Sequence, residues 1–275
     1  MPIKTILTYR NGSPSSEKQT EAAIAAARHY DAHLSIATVG YEPEMPADGY
    51  GAVSGVTVTA ELHARAEEEA SGLAAEANAR LASEGIRGDA FPLVTTPSGL
   101  AHGFGRHARF ADLVVLSKPL GDDDYQAATR TFEGALFHGD AAVLVCPDNV
   151  DLSAAKAMIA WDGGPAALRA VRRAYPVLAG VEGLEIVLVD GGAREMRSAE
   201  DLATMLSRYD LPASIVRVAS DGRTEAEALS RHRKESGAGL IVAGAYGHSR
   251  FRELLLGGVT RDLPQMADVP LFMAH

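Results

Sequence analysis

Cysteine occurs once, at Cys146, so no disulfide can form within the chain, and a reducing cytoplasm suits it. Aromatic residues supply only 6% of the 275 positions, while alanine and the aliphatics carry most of a 47% hydrophobic fraction. That mix suits helices packed on a sheet and argues against an aromatic-rich β-sandwich. Positive charge is in deficit, the formal net charge being −10. General nucleic-acid binders normally show a basic face, so that class is set aside. No apolar run reaches membrane-spanning length, and the opening MPIKTILTYRNG has too few apolar residues for a signal peptide. The expectation is a soluble cytoplasmic protein with neither nucleic acid nor membrane as partner.

What is present is repetition. ILTYRNGS near residue 6 and MIAWDGG near residue 158 are both apolar runs that end in a polar turn and lead into an alanine-rich helical pattern. Further on, ADLVVLSKP (111–119) matches AGLIVAGAY (238–246), and AAVLVCP (141–147) matches VPLFMAH (269–275). Pairing Asn11 with Asp162 gives an offset of 151, whereas Leu113 with Leu240 gives 127. The first copy is therefore longer by about two dozen residues. The Gly- and Pro-rich YEPEMPADGYGAVSG (41–55) reads as a loop and is the expected place for the excess. PDNVDLSAA (147–155) has the character of a linker, dividing the chain into domains 1–149 and 150–275.

Within each copy short apolar runs alternate with helical patterns. The second copy offers strands at Ala157–Trp161, Leu184–Val189, Ser214–Val218, Leu240–Ala243 and Pro270–Met273, with helices from Pro165 onward, at Glu195–Tyr209 and at Thr224–Ser236. Runs such as LIVAGA are apolar on both faces, as strands covered on both sides of a parallel sheet should be. The fold class is α/β: two tandem Rossmann-like domains, each a five-stranded, mostly parallel sheet with flanking helices.

GAYGHSRFRELLLGGVT (244–260) sets glycine pairs at both ends of a basic, amphipathic segment that follows a strand. Glycine allows a backbone to approach a ligand closely, and glycine nests and helix N-termini present free N–H groups to anions. Phosphate is the functional reading of this loop. The spacing Gly244-x2-Gly247-x9-Gly257, with Asp162 in the turn after the domain's first strand, resembles the universal stress protein (UspA) family, and the repeated element order extends the resemblance over the whole chain as a tandem form. The resemblance implies an adenine-nucleotide α-hydrolase-like fold and a bound ATP or other adenine nucleotide, with or without magnesium. It places Gly244, Gly247, His248, Gly257, Gly258, Val259 and Thr260 at phosphates and ribose, and Ala160, Trp161, Asp162 and Leu188 on the adenosine side. It also implies that the copies' last strands pair within the chain as a pseudo-dimer, with a further homodimer open.

Several residues depart from the family pattern. Gly258 stands where Ser or Thr is usual, and Thr260 offers a hydroxyl nearby. Trp161 either stacks on a base or occludes it. Pro264 in the last helix implies that this helix is short or bent. In the first copy 117–137 lacks the glycine pairs and carries Asp122, Asp123 and Asp124, and Asn11 replaces the turn aspartate, so that site is read as degenerate. Asp162 is equally an ordinary Asx-turn residue, and His248 an ordinary loop histidine. His29, His33, His102, His107 and His232 show no metal-site spacing. Neither a Gly-x-Ser-x-Gly elbow nor a Gly-x4-Gly-Lys-Ser/Thr loop is present, so no catalytic residue is assigned and ATPase activity is at most weak. A nucleotide-binding stress regulator is the leading reading, beside a nucleotide-free interaction protein and a slow ATP hydrolase.

Overall fold

The computed structural model describes residues 2–44, 53–118, 122–147, 151–245 and 258–275. By contact the chain forms two compact units, Ile3–Ala141 and Ala142–His275, the latter joined by the N-terminal dipeptide.

The first unit runs β1 (Thr5–Arg10), α1 (Pro14–Tyr30), β2 (His33–Tyr41), α2 (Val53–Ser83), β3 (Gly88–Thr95), α3 (Leu100–Ala108), β4 (Leu113–Ser117) and α4 (Asp122–Glu133), which continues into a π-helical turn at Gly134–His138. Its strands lie in the order β3-β2-β1-β4, all parallel. Of the loop expected at 41–55, residues 45–52 lie outside the described residues and 53–55 are helix: α2 begins at Val53 and is 31 residues long, against 15 in its counterpart in the second unit, so much of the extra length of the first copy is helix. Ala66, Ala70, Ala74, Ala77 and Leu81 recur at steps of three and four and are all buried, giving α2 one small-residue face. That face lies directly on the sheet. A Cβ at Gly40 of β2 would stand 1.9 Å from the carbonyl oxygen of Ala66.

The second unit contains β5 (Val143–Cys146), β6 (Lys156–Ala160), α5 (Pro165–Leu178), β7 (Gly183–Val189), α6 (Ala193–Ser207), β8 (Ala213–Val218), α7 (Glu225–Ser236), β9 (Leu240–Gly244), α8 (Gly258–Met266) and β10 (Leu271–Ala274). The order is β5-β10-β9-β6-β7-β8. Strands β6 to β10 are parallel, whereas β5 runs antiparallel to β10 in the register Val145↔Leu271, Leu144↔Phe272, Val143↔Met273. The last strand of the first copy thus lies in the sheet of the second unit, beside the last strand of the second copy. Expected and observed elements agree within two residues at their ends. Thr224 accepts the N–H of Glu227 at 3.2 Å while Glu227 accepts that of Thr224 at 2.8 Å, a capping box that fixes the start of α7. α8 is nine residues with Pro264 inside, short as the sequence implied.

β5 and β10 are buried along their whole length, and burial pushes the Cys146 thiol up to about 12. Cys146 should therefore resist thiol reagents at neutral pH until the chain unfolds, which alkylation followed by mass measurement along a urea series would show. An unpaired apolar edge invites association. A fragment of residues 151–275, which lacks β5, should associate in light scattering; a monomeric particle would show that β10 does not need its partner.

Candidate functional site

In the second unit the chain leaves β6 toward β7 and leaves β9 toward β10, so the strand order reverses between β6 and β9. Ligands of open α/β sheets collect beyond the carboxyl ends of strands at such a point. The register Ala160↔Ala243 places Trp161 and Asp162 beside Gly244 at this edge. Asp162 is exposed, and its Oδ1 accepts the N–H of Gly164 at 2.7 Å. Gly163 follows at φ 75°, in the left-handed region that glycine tolerates. The first copy builds the same turn with Asn11, whose Oδ1 accepts the Ser13 N–H at 3.2 Å, and with Gly12 at φ 79°. The Asx-turn role expected of Asp162 is therefore present.

Trp161 is only 8% exposed. Its main-chain N–H donates to Val187 O at 2.9 Å, and its indole N–H to Ser198 Oγ of α6 at 2.9 Å. It is a buried wall of the site and offers no open stacking face. Leu188 is wholly buried and Ala160 half-buried. Gly244 has a structural cause: a Cβ there would come within 2.4 Å of the Ala167 nitrogen, so the close approach it permits is that of α5. Gly258, Val259 and Thr260 form the first turn of α8, where main-chain N–H groups lack helical acceptors. Gly247, His248 and Gly257 lie outside the described residues.

Two residues at this end escaped sequence reasoning. Ser198 is one; nothing in a mid-helix serine signals the Trp161 contact. Asp190 is the other, an exposed carboxylate directly after β7 in the left-handed region at φ 49°. Hydrogen bonds from Ser220 hold its carboxyl below the usual range. Its position at a strand's carboxyl end was the available signal. Of the histidines singled out earlier, His107 lies against Phe91, His232 bonds Glu185 at 2.7 Å, and His33 bonds Asp89 at 2.7 Å.

The first unit furnishes the same edge differently. At the repeat offsets Trp161 corresponds to Arg10, Ala170 to Gln19 and Gly244 to Ser117. Gln19 is 1% exposed and spans the switch point. Its amide nitrogen donates to Tyr9 O at 2.9 Å and Thr8 Oγ1 at 3.1 Å, and its oxygen accepts the Ser117 N–H at 2.9 Å. Arg10 donates to Glu17 at 2.5 Å, to Glu76 at 3.0 Å and to the Leu73 carbonyl at 3.2 Å. The unit's own side chains thus bond to one another and to the main chain across this edge. A cleft of about 560 Å³, lined by Tyr41, Leu62, Arg65, Glu69, Leu73 and Glu76 among others, lies beyond β2, and Leu73 and Glu76 of its lining are the partners of Arg10.

Two substitutions test these packing assignments. Gln19→Ala strands a buried amide N–H and a buried carbonyl, and should cost about 1–3 kcal/mol. Gly244→Ala should cost a similar ~1–3 kcal/mol by forcing α5 off β9. Urea midpoints equal to that of the unaltered chain would contradict both.

No helix among the described residues is long and apolar enough to cross a membrane. Residues 154–275 match the model of the universal stress protein family. No protein of curated function matches the chain significantly. Among solved structures it is similar to a universal stress protein from Archaeoglobus fulgidus, with 16% identity, a TM-score of 0.71, and coverage of 98% of this chain and 97% of that one. It is also similar to a functionally unknown protein from Pseudomonas aeruginosa, at 14% identity, a TM-score of 0.56, and coverage of 99% and 92%. These likenesses span both units and establish a common α/β fold. Residues 154–275 are thus a universal stress protein domain, and the chain as a whole shares the α/β fold of the Archaeoglobus structure.

Proposed function

We propose that the second unit binds an adenine nucleotide at the β6/β9 switch point, that the first unit does not, and that the protein acts as a cytoplasmic stress-response regulator. The observation that supports this most is the contrast between the two equivalent edges. In the first unit Gln19 and Arg10 bring hydrogen-bonded polar groups to the edge, whereas in the second Ala170 and Trp161 stand in those places. The first-turn N–H groups of α8 suit phosphate, which gains roughly 0.3–1 kcal/mol per charge at a helix N-terminus, and up to ~2 kcal/mol if partly buried. Asp162 would line the adenosine side, with Trp161 forming the wall behind it. Magnesium would accompany a triphosphate. Hydrolysis requires a positioned base or metal carboxylate. Asp162 is already committed to the turn, so at most slow turnover is expected.

A second reading, a nucleotide-free interaction protein, is favoured by a specific observation: Leu188 and Trp161 are buried, and the close approach at Gly244 is taken by α5. Calorimetric titration with ATP, ADP and AMP separates the two readings, as does mass spectrometry of ligand that co-purifies with the protein. One nucleotide should bind per chain. At a hundredfold excess over Kd it should stabilise the fold by about 2.7 kcal/mol. Trp161 is the sole tryptophan, so its emission should change on binding. Gly247→Val should remove both signals, because a β-branched side chain blocks close backbone approach. Absence of heat and of a melting shift with all three nucleotides would leave the interaction reading.

A further inference from the structure

The first unit carries two of the exposed large hydrophobic side chains among the described residues, Phe110 at 84% and Phe137 at 44% exposure. They flank one contact, in which Arg109 Nε donates to the His138 carbonyl at 2.9 Å. His102 and His138 meet edge to face at 5.5 Å, and the His107 ring lies 4.6 Å from that of Phe91. Residues 100–110 and 134–139 contain Arg106, Arg109 and three histidines but no Asp, Glu or Lys, in a chain whose net charge is −10. Asp112, just beyond, is engaged by the main-chain N–H groups of Lys4 and Thr5, while Glu133 and Asp140 stand at the margin.

This face is rigid. Without side chains, Gly105 and Gly134 let α3 and the π-helical turn touch backbone to backbone. A Cβ at Gly105 would lie 2.6 Å from Gly134 O, and one at Gly134 would lie 2.4 Å from Ala101 O. π-Helical turns are often found at functional sites.

The fold itself does not require these residues. At the repeat offset Phe110 corresponds to Gly237, which caps α7 at φ 71°. Arg106 corresponds to Arg233, whose side chain is 14% exposed and paired with Asp268. Arg106 is exposed and makes no ion pair among the described residues. Aromatics and arginine without lysine or acid is the composition of interface cores and of binding anchors. We propose that the α3/π-turn face of the first unit is a docking surface for an acidic protein segment with apolar side chains, whose carboxylates meet Arg106 and Arg109 and whose apolar groups meet Phe110 and Phe137. Guanidinium groups hold carboxylates in paired hydrogen bonds. This assignment is independent of nucleotide binding in the second unit.

The test uses the full chain and a fluorescein-labelled peptide of alternating Glu and Leu, followed by anisotropy. Parallel titrations use a Gln–Leu peptide, an oligothymidylate and vesicles of phosphatidylglycerol. The Glu–Leu peptide should bind best. Phe110→Gly, which copies the residue of the second repeat, and Arg106→Gln should each weaken it roughly tenfold without lowering Tm. Three results would overturn the proposal: no binding of the Glu–Leu peptide, equal binding by both variants, or equal affinity for the Gln–Leu peptide. Preferential binding of the oligonucleotide or the vesicles, lost in Phe110→Gly, would overturn it as well by assigning the face to another class of partner.

Discussion

Both units depend on helices laid directly against backbone. Gly40 meets the Ala66 carbonyl, Gly134 that of Ala101, and Gly244 the nitrogen of Ala167, each at a distance where a Cβ has no room. The alanine stripe of α2 continues the same principle over four helical turns. Interiors built this way reach normal packing density through close approach, without large side chains. The scarcity of aromatics is thus a condition of the architecture. It also limits what an edge glycine can signify, since a missing Cβ serves a helix as readily as a ligand.

The two repeats keep one turn and change what surrounds it. Asn11-Gly12 and Asp162-Gly163 close the same Asx geometry after the first strand. The preceding residue reaches the second helix of its unit in both, as Arg10 to Leu73 and Glu76 of α2 and as Trp161 to Ser198 of α6. In the first unit Arg10 also joins a charged chain: Glu17 bridges it to Arg80, which pairs with Glu84, which pairs with Arg28. Buried polar networks hold well only when every member is satisfied. Gln19 meets that condition at the switch point with four partners, and so commits the edge to structure. At the positions of Gln19 and Ser117 the second unit has Ala170 and Gly244.

Divergence between the copies extends to their surfaces. Where α7 ends on a glycine cap, α3 ends on a solvent-facing phenylalanine, and where Arg233 closes on Asp268, Arg106 stays open. Duplication leaves one copy free to change wherever the other still performs the original task. The structural contrasts fall at the carboxyl edge and on the α3 face, while the parallel core strands remain alike: β4 and β9 share one burial pattern.

Strand positions, the Thr224 cap, the short last helix and the repeat itself follow from the sequence alone, because each arises from periodicity or from bonds between residues a few positions apart. The extra length was expected within 41–55, yet from Val53 the backbone is helical and much of that length is α2. Gly244 was read for a ligand, and its close neighbour among the described residues is a helix 77 residues earlier in the chain. Only tertiary structure decided that Gln19 bonds Ser117 across 98 positions and that Ser198 takes the Trp161 N–H, whereas the pairing of β5 with β10 was implied by the family resemblance. Such partners are chosen by which surfaces the crossovers bring together, and no local pattern encodes that choice.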